Sequence, residues 1–339
     1  MPPFDLAQIL DVPDLPAHLM QVEQTLQESV SSATASIQKP ALRVISGKSK
    51  RLRPALIIAI AASQKQNITK TVVAACSALE LVHIATLIHD DIIDQSNSRR
   101  GVPTINSIEG PDQAIVVGDY LFSRAIALAA QINSEAVRLV ATIIAALCDG
   151  QSRELVDRNN TKRSEKSALK AMHDKTAMLF AAACELGGLC ANSDQSTRQA
   201  FNTYGKALGM AFQCIDDVLD LVSAPELTGK PTAHDVLEGV YTLPVILALR
   251  GPHQATVERY LTSKQRLSKL TELLMQDGTI AETLRRAKQY NQQAQKAIGA
   301  IDRDRSMMSL AKLPDHYLQW AMQHLVAEGY RTRLAKAIS

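Results

Sequence analysis

Apolar residues are spread along this chain without the apolar–polar alternation that marks half-buried strands. Leu, Ala and Ile dominate the apolar positions, and only 4% of residues are aromatic, a combination that favours an all-α fold. Short polar breaks rich in Ser, Asn, Gly, Pro or charge separate the helical stretches. The predicted helices span residues 15–38, 54–64, 70–94, 111–131, 134–157, 167–191, 195–222 and 239–250, with a weaker helical region at 254–338. The predicted loops are 63–69, 95–110, 158–166, 192–194 and 223–238.

No predicted loop is long enough to act as a linker between domains. A chain of 339 residues has room for two ordinary domains or for one large helical domain. We predict one domain over residues 1–339, a helical bundle whose amphipathic opening helix is interrupted by Pro40 before a basic turn.

Two acidic clusters of the same design lie at the ends of apolar helical stretches. They are Asp90-Asp91-Ile92-Ile93-Asp94 and Asp216-Asp217-Val218-Leu219-Asp220. In each, the first and last carboxylates share one helix face, and bare anions on a largely buried helix are costly. A cation is therefore expected. Oxygen donors without a nearby Cys pair indicate Mg²⁺, which binds through one or two carboxylates plus substrate phosphates.

The overall charge and the cysteines limit the classes of protein to which this chain can belong. The 37 Lys and Arg residues nearly balance the 34 Asp and Glu residues, so nothing global indicates binding to nucleic acid. Five cysteines in apolar stretches are typical of reduced core residues in a cytoplasmic protein. The N-terminus lacks a signal-peptide pattern, and we expect no stretch to reach the ~18 apolar residues that a membrane span needs. We predict a soluble, cytoplasmic protein with no transmembrane segment.

Cationic residues follow or precede the acidic clusters in several places. Arg99-Arg100-Gly101 comes directly after the first cluster, and arginine is suited to bidentate contact with phosphate. The basic loop at residues 47–54, Lys175-Thr176 and Gly229-Lys230 add further candidates. The chain thus offers sites for two diphosphates, only one of which need be bound through metal.

In the order and spacing of these elements the sequence resembles the trans-isoprenyl diphosphate synthases, the polyprenyl synthetase family, from about residue 40 to 250. The matching elements are Lys50-Arg51-Leu52-Arg53-Pro54, the first acidic cluster, Arg99-Arg100-Gly101, Lys175-Thr176, Phe212-Gln213 with the second cluster, and Thr242-Leu243-Pro244. A lone Asp-Asp-x-x-Asp is a weak signal, but six elements in register are a specific one. The resemblance implies the isoprenoid synthase fold, an all-α bundle around a central active-site cavity.

The resemblance also implies a role for each matched residue. Asp90, Asp94 and Asp216 would be the principal ligands of about three Mg²⁺ ions, with Asp91, Asp217 and Asp220 in support. Arg99, Lys175, Thr176, Gln213 and Lys230 would hold the allylic diphosphate. Lys50, Arg53, His83 and Arg100 would hold isopentenyl diphosphate, with Phe212 packed beside it. The allylic diphosphate would leave as a carbocation forms, which the isopentenyl double bond attacks, so the main catalytic effect is charge stabilisation of the leaving group.

Three small or medium residues before the first cluster bear on product length. The growing chain should descend the helix face below Asp90, and an isoprene unit is about as long as one helical turn of ~5.4 Å. Family members with short products generally carry an aromatic residue four or five positions before the first Asp, where this chain has Thr86 and Ala85; Val82 lies one turn deeper. We therefore predict a hexaprenyl to decaprenyl product of the quinone side-chain type. If another helix closes the tunnel, the product would be geranylgeranyl diphosphate.

The chain departs from the family pattern at a few positions. Lys48-Ser49 replace a glycine pair in the basic loop, Val240 stands where a lysine is common, and Ala233 stands where glycine is common. One cationic contact to the allylic diphosphate is therefore expected to be missing. Glu80 receives no role beyond capping or supporting hydrogen bonds.

Other interpretations remain open at this point. An isolated acidic triplet is usually a solvated helix face, and His83 could be an ordinary core histidine. A class I terpene cyclase would show a different second metal motif and has no use for Lys50 and Arg53. An HD-type phosphohydrolase would not explain the second cluster, and a non-catalytic subunit of a heteromeric synthase would be expected to have lost one cluster. The resemblance implies a homodimer that takes isopentenyl diphosphate and an allylic primer such as farnesyl or geranylgeranyl diphosphate.

Overall fold

The computed structural model describes residues 4–47, 49–99, 101–223, 232–262, 264–299, 301 and 305–338. The described chain is mostly helical with one short hairpin, which confirms the prediction of an all-α fold. The helices are α1 (Leu6–Leu10), α2 (Leu15–Glu28), α3 (Ala35–Ile45), α4 (Leu52–Ser63), α5 (Lys70–Ile93), α6 (Ile105–Ile108), α7 (Pro111–Ala130), α8 (Ser134–Val156), α9 (Glu165–Met172), α10 (Met178–Cys190), α11 (Gln195–Val222), α12 (His234–Leu237), α13 (Leu243–Ala248), α14 (Gln254–Leu261), α15 (Leu267–Gln276), α16 (Thr279–Ile298), α17 (Arg305–His324) and α18 (Glu328–Ile338). A π-helical turn, His173–Ala177, joins α9 to α10, and a 3₁₀ turn, Lys264–Arg266, precedes α15.

A short hairpin follows the first acidic cluster. Strands β1 (Ser98–Arg99) and β2 (Val102–Pro103) pair antiparallel across a two-residue connection that ends in Gly101. Gly101 has φ +78°, a conformation that tight hairpin turns demand and that glycine adopts without steric cost. The hairpin falls within the stretch predicted as loop 95–110.

The predicted opening helix, 15–38, is two helices, and Pro40 does not interrupt the chain. The break lies between α2 and α3, where the hydroxyls of Ser29 and Ser31 bond to backbone carbonyls one turn back and compete with the helical ladder. Pro40 lies inside α3. A proline leaves the carbonyl four residues earlier without its helical donor, and here Gln113 Nε2 donates to Ser36 O at 2.8 Å. A side chain from α7 thus compensates for the proline.

Helix α10 lies between the two helices that carry the acidic clusters. It packs against α4 and α5 on one side and against α11 on the other. Two glycines one turn apart on α11 permit the close approach. A Cβ at Gly209 would lie 2.5 Å from Ala177 Cα, and one at Gly205 would lie 2.5 Å from Phe180 O. This contact sets the π-helical turn directly against α11.

The core is continuous. Buried apolar residues from Phe4 to Leu334 form one cluster, which supports the proposal of one domain. Both acidic clusters lie at the C-terminal ends of long helices, α5 and α11. The negative end of the helix dipole adds to the charge of the carboxylates there, so each cluster has a stronger requirement for nearby cations.

The expectation that no stretch could span a membrane needs correction. Helices α5 and α7 are both long and apolar enough by length and composition. In α5, however, 78% of the apolar window is buried inside the protein, against 39% in α7. A core helix passes the same test, so these two helices are weak evidence for membrane insertion. The five cysteines are free thiols, and four of them, all but Cys148, are buried.

Candidate active site

A cavity of about 450 Å³ brings together parts of the chain that are distant in sequence. Its wall includes Asp91 and Asp94 from the first acidic cluster, Asp217 from the second, and Arg99 from the hairpin. Lys175 and Thr176 of the π-helical turn also line it, with Gln213 of α11. The residues named come from four of the six elements that carried the resemblance, and all of them face one space.

The carboxylates of the first cluster have different surroundings. Asp90 is half-buried, and burial is the largest cause that raises its pKa, while Lys175 and Arg99 oppose that shift. Asp91 is buried and accepts from Arg99, whose Nε lies at 2.9 Å and Nη2 at 2.8 Å from Oδ1. Asp94 accepts from Arg158 Nη2 at 3.0 Å. The raised pKa of Asp90 means that burial disfavours its charged form, which additional positive charge nearby would stabilise.

Asp217 and Asp220 of the second cluster accept hydrogen bonds from α11 and from the starts of α12 and α13. Asp217 is buried and accepts from Gln213 Nε2 at 2.9 Å and from the backbone N–H of Leu243 at 3.2 Å. Burial raises the pKa of Asp217 to about 7. Asp220 accepts from the backbone N–H groups of His234 and Asp235, at 3.0 and 3.2 Å, at the start of α12. These bonds fix the segment after the second cluster, including the start of α13.

Asp216 has a partner that the sequence did not suggest. Tyr317 of α17 donates its hydroxyl to Asp216 Oδ1 at 3.3 Å. The Tyr317 ring also stacks on Phe212, with centroids 4.5 Å apart and planes 17° from parallel. The C-terminal region, which had no predicted role, therefore reaches the second cluster.

The π-helical turn presents Lys175 and Thr176 to the cavity. A π-turn inserts one residue into a helix and is common at functional sites. Thr176 Oγ1 donates to Gln213 Oε1 at 2.7 Å, and the Gln213 amide in turn donates to Asp217. Lys175 donates to Glu154, near the end of α8. Burial would lower the pKa of Lys175, but Glu154 and Asp90 outweigh it and raise the pKa, so the amine is charged.

Sequence reasoning missed Glu154 and Arg158. Both lie at the boundary between the predicted helix 134–157 and the loop after it. They pair with Lys175 and Asp94 respectively. Neither belongs to a recognisable motif, and an acid or a base near a helix end normally faces solvent. Nothing in the sequence could have singled them out.

The basic loop holds one buried cation, Arg51, and two cations that lie over aromatic rings, Lys50 and Arg53. Arg51, at φ +45°, is buried and bonds to Glu23, Glu80 and the carbonyl of Ile45. Lys50 is exposed, and its amine lies 4.0 Å from the centroid of the Trp320 ring. Arg53 is half-buried, with its guanidinium carbon 4.9 Å from the Phe180 centroid. Glu80, left without a role by the sequence, is the buried partner of Arg51.

Three predicted positions lie outside the described residues. These are Lys48, Arg100 and Lys230. Val240, which stands where a lysine is common, lines the cavity. Ala233, at the glycine position, has φ +56° and its N–H donates to Asp220 O at 2.7 Å. The conformation explains why glycine suits that position.

The positions predicted to set product length differ in exposure. His83, Thr86 and Asp90 of α5 are half-buried, so this face of the helix borders accessible space. Ala85 and Val82 have no accessible surface. Thr86 is therefore the one of the three with access to a growing chain, and its hydroxyl donates to His83 O at 2.7 Å.

The acidic residues suit a hard cation completed by substrate. Among the described residues, no three His, Cys, Asp or Glu side chains converge as a ready metal cage. The donors at the site are carboxylate oxygens at the ends of two helices, and several are held by protein hydrogen bonds. Magnesium commonly binds through one or two carboxylates with the remaining positions filled by water and phosphate oxygens. The residues present fit that mode of binding.

Comparison with known proteins gives a consistent pattern. The sequence model of the polyprenyl synthetase family matches residues 34–276. The chain is 30% identical over 296 residues to heptaprenyl diphosphate synthase component 2 of Bacillus subtilis, covering 86% of this chain and 85% of that protein. A geranylgeranyl diphosphate synthase of Methanosarcina mazei is 34% identical over 236 residues, 66% of this chain and 72% of that one.

Solved structures agree with the sequence comparison. A polyprenyl synthase from Caulobacter crescentus, complexed with calcium and isoprenyl diphosphate, has a TM-score of 0.86 at 30% identity, covering 93% of this chain and 97% of that one. A decaprenyl diphosphate synthase from Rhodobacter capsulatus has a TM-score of 0.84 at 31% identity, covering 93% and 98%. Both similarities extend well past the matched motifs, into the C-terminal region.

Proposed function

This chain belongs to the polyprenyl synthetase family, and from that premise we propose that it joins isopentenyl diphosphate to an allylic diphosphate. The observation that carries this proposal is the cavity in which carboxylates of both acidic clusters meet Arg99 and Lys175. A diphosphate can be bound there both through metal ions and through direct ion pairs. The cavity of about 450 Å³ has room for such a head group.

The geometry supports a division of roles within the acidic clusters. We assign Asp90, Asp94 and Asp216 as the principal metal ligands, with Asp220 in support. Asp91 and Asp217 are buried and already bonded, to Arg99 and to Gln213 with Leu243. These two therefore act by holding neighbouring groups in place.

We propose Mg²⁺ as the cofactor. When bound, it would supply the positive charge that stabilises a departing diphosphate. The protein contributes further charge from Arg99 and Lys175, which are held in place by Asp91 and Glu154. Both cations line the cavity, and we propose that each turns from its carboxylate partner to a phosphate when substrate binds. Thr176 and Gln213, bonded to each other, complete the proposed allylic diphosphate site.

The second substrate site is assigned to the basic loop. Lys50 and Arg53 lie at the start of α4, and His83 lies on the accessible face of α5. These cations and the imidazole suit a diphosphate bound without metal, which is what the attacking substrate needs. Phe212 offers an apolar ring beside them.

We propose a product of six to ten isoprene units. The half-buried Thr86 is small, so the position four residues before Asp90 on the accessible face of α5 carries no bulky side chain. Proteins named heptaprenyl and decaprenyl synthases are among those similar to this chain. A geranylgeranyl product is the alternative, since a protein of that name is also similar.

The assembly is proposed to be a homodimer. Large apolar side chains are exposed on α7 and α8, among them Ile115, Val116, Leu155 and Val156. Exposed apolar side chains on two helices that contact each other suit an interaction surface. The Bacillus relative is named a component, so a heteromer is the competing arrangement. Sedimentation of the purified chain alone separates the two.

The test of the function is product analysis from farnesyl diphosphate and labelled isopentenyl diphosphate, with Mg²⁺ and with a chelator. We expect a metal-dependent ladder that extends beyond geranylgeranyl. A ladder that ends at geranylgeranyl diphosphate would support the proposed reaction and overturn the proposed product length. Folded protein that elongates nothing overturns the proposed function and favours a subunit that needs a partner.

A further inference from the structure

Two aromatic residues of α17 lie at the boundary between the two proposed substrate sites. Tyr317 and Trp320 are three positions apart and share one helix face. The ring of Tyr317 stacks on Phe212 at 4.5 Å, and the Trp320 ring follows at 6.2 Å with planes 28° apart. We call Phe212, Tyr317 and Trp320 the aromatic wall.

One end of the aromatic wall meets Lys50. The Lys50 amine lies 4.0 Å from the Trp320 centroid and 5.9 Å from the Phe4 centroid. Both distances fall within the range of a cation–π contact, for which tryptophan is the strongest partner. A lysine amine on a flexible four-carbon stem samples many positions in solvent. The indole ring therefore restricts where this amine is found.

The other end meets the second acidic cluster. Tyr317 donates its hydroxyl to Asp216 at 3.3 Å while its ring covers one face of Phe212. Phe180 lies on Phe212 as well, with centroids 5.3 Å apart. The Phe212 ring is thus fixed between two neighbours. One short stretch of α17 controls the position of a cation and of an apolar surface.

We propose that Trp320 and Tyr317 are positioning residues for isopentenyl diphosphate. Trp320 holds the Lys50 amine where the diphosphate binds, and Tyr317 holds the Phe212 ring where the hydrocarbon lies. This inference rests on the proposed function and adds the C-terminal helix to its second substrate site. Packing of α17 against the core explains why both rings are buried. It does not explain why an exposed lysine amine rests on an indole face rather than in water.

Trp320 is the only tryptophan in the chain, so its fluorescence reports directly on this contact. We expect titration with isopentenyl diphosphate, without allylic substrate, to change the emission in a saturable way as the phosphate binds to the Lys50 amine that lies on the indole ring. The Lys50→Gln variant should show a much smaller change. Binding seen by calorimetry with no change in emission would overturn the inference.

Kinetics supply a second, independent readout. Trp320→Leu should raise the KM for isopentenyl diphosphate about two- to fivefold, the effect of one cation–π contact at a partly exposed site, with the KM for the allylic substrate unchanged. Trp320→Phe keeps an aromatic face, so its KM for isopentenyl diphosphate should lie between the values of the wild type and of Trp320→Leu. Tyr317→Leu should raise the same KM, and Tyr317→Phe, which keeps the stacked ring, should have the smaller effect.

Leu318→Ala is the matched control. Leu318 lies on the same helix, is about as buried, and lines a different cavity, bounded by residues of α16 and α18. Its truncation should lower stability and leave both KM values unchanged. A rise in both KM values in Trp320→Leu, or the same KM change in Leu318→Ala, would show that α17 acts by packing alone. If wild-type protein transfers no prenyl group, the proposed function fails, and the calorimetric and fluorescence titration still decides on Trp320.

Discussion

The Arg51 guanidinium donates to the Glu80 carboxylate at 2.7 Å in the interior, where Arg51 is 6% exposed and Glu80 2%. The bond joins the residue that precedes α4 to the middle of α5. Glu23 of α2 also accepts from Arg51, at 2.9 Å. Three helices are thereby connected through one side chain, directly beside the two cations of the basic loop.

Arg51→Met should lower the free energy of unfolding by about 3–5 kcal/mol, because it leaves the buried Glu80 carboxylate without its partner. Arg51→Met combined with Glu80→Leu should recover part of that loss, since the stranded charge is gone. Urea unfolding of the single and double variants measures both. A single variant that loses less than about 1 kcal/mol would show that the Arg51–Glu80 pair contributes little to stability.

Asp217 should make the stability of the metal-free protein fall as pH rises. Burial raises its pKa to about 7 in the folded state, against about 3.9 in the unfolded chain. Between these two pKa values the folded state binds one more proton than the unfolded state. The contribution of Asp217 to the free energy of unfolding is therefore largest below about pH 4, and it declines by up to about 1.4 kcal/mol per pH unit until about pH 7.

The measurement is urea unfolding across this pH range in the presence of a chelator. Asp217→Asn, which keeps the shape and removes the titrating group, should lack this decline and provides the control. If wild type and Asp217→Asn show the same pH dependence from pH 4 to 7, Asp217 is ionised in the folded protein and the assignment fails.

The sequence predicted the helical architecture because helix formation depends on local patterns, and the cavity collects residues from several of the motifs that carried the family resemblance. The presence of helices follows from the composition and the spacing of apolar residues. The acidic clusters are recognisable because a run of charge is unusual in an apolar stretch. Pro40 was wrongly predicted to interrupt the chain because Gln113, far along the sequence, donates to the Ser36 carbonyl that the proline leaves without its helical donor. Glu154, Arg158, Tyr317 and Trp320 escaped notice for the same reason. Each acts through a neighbour that only the tertiary fold provides.

Val240→Lys should tighten binding of the allylic substrate. Val240 lines the cavity with Lys175 and Arg99 at a position where a lysine is common in the family. A new ammonium there should lower the KM for farnesyl diphosphate roughly two- to fivefold, as about 0.5–1 kcal/mol of partly screened attraction would. The KM for isopentenyl diphosphate should not change.

Val240→Met is the control, since it adds length without charge. Glu238 also lines the cavity and could capture the new ammonium. Equal KM values in the lysine and methionine variants would show that the added charge does not reach the diphosphate.

Thr86→Phe should shorten the product. Thr86 is half-buried on the accessible face of α5 that also carries Asp90, and one isoprene unit spans about one helical turn of ~5.4 Å. A phenyl ring there should stop the ladder within one or two units of the primer, while the rate of the first condensation is retained. Ala85→Phe is the contrast, because Ala85 has no accessible surface and the ring should overpack the core and lower stability by about 1–3 kcal/mol. Chromatography of the products decides the matter: an unchanged ladder from active Thr86→Phe enzyme would place the growing chain along another helix.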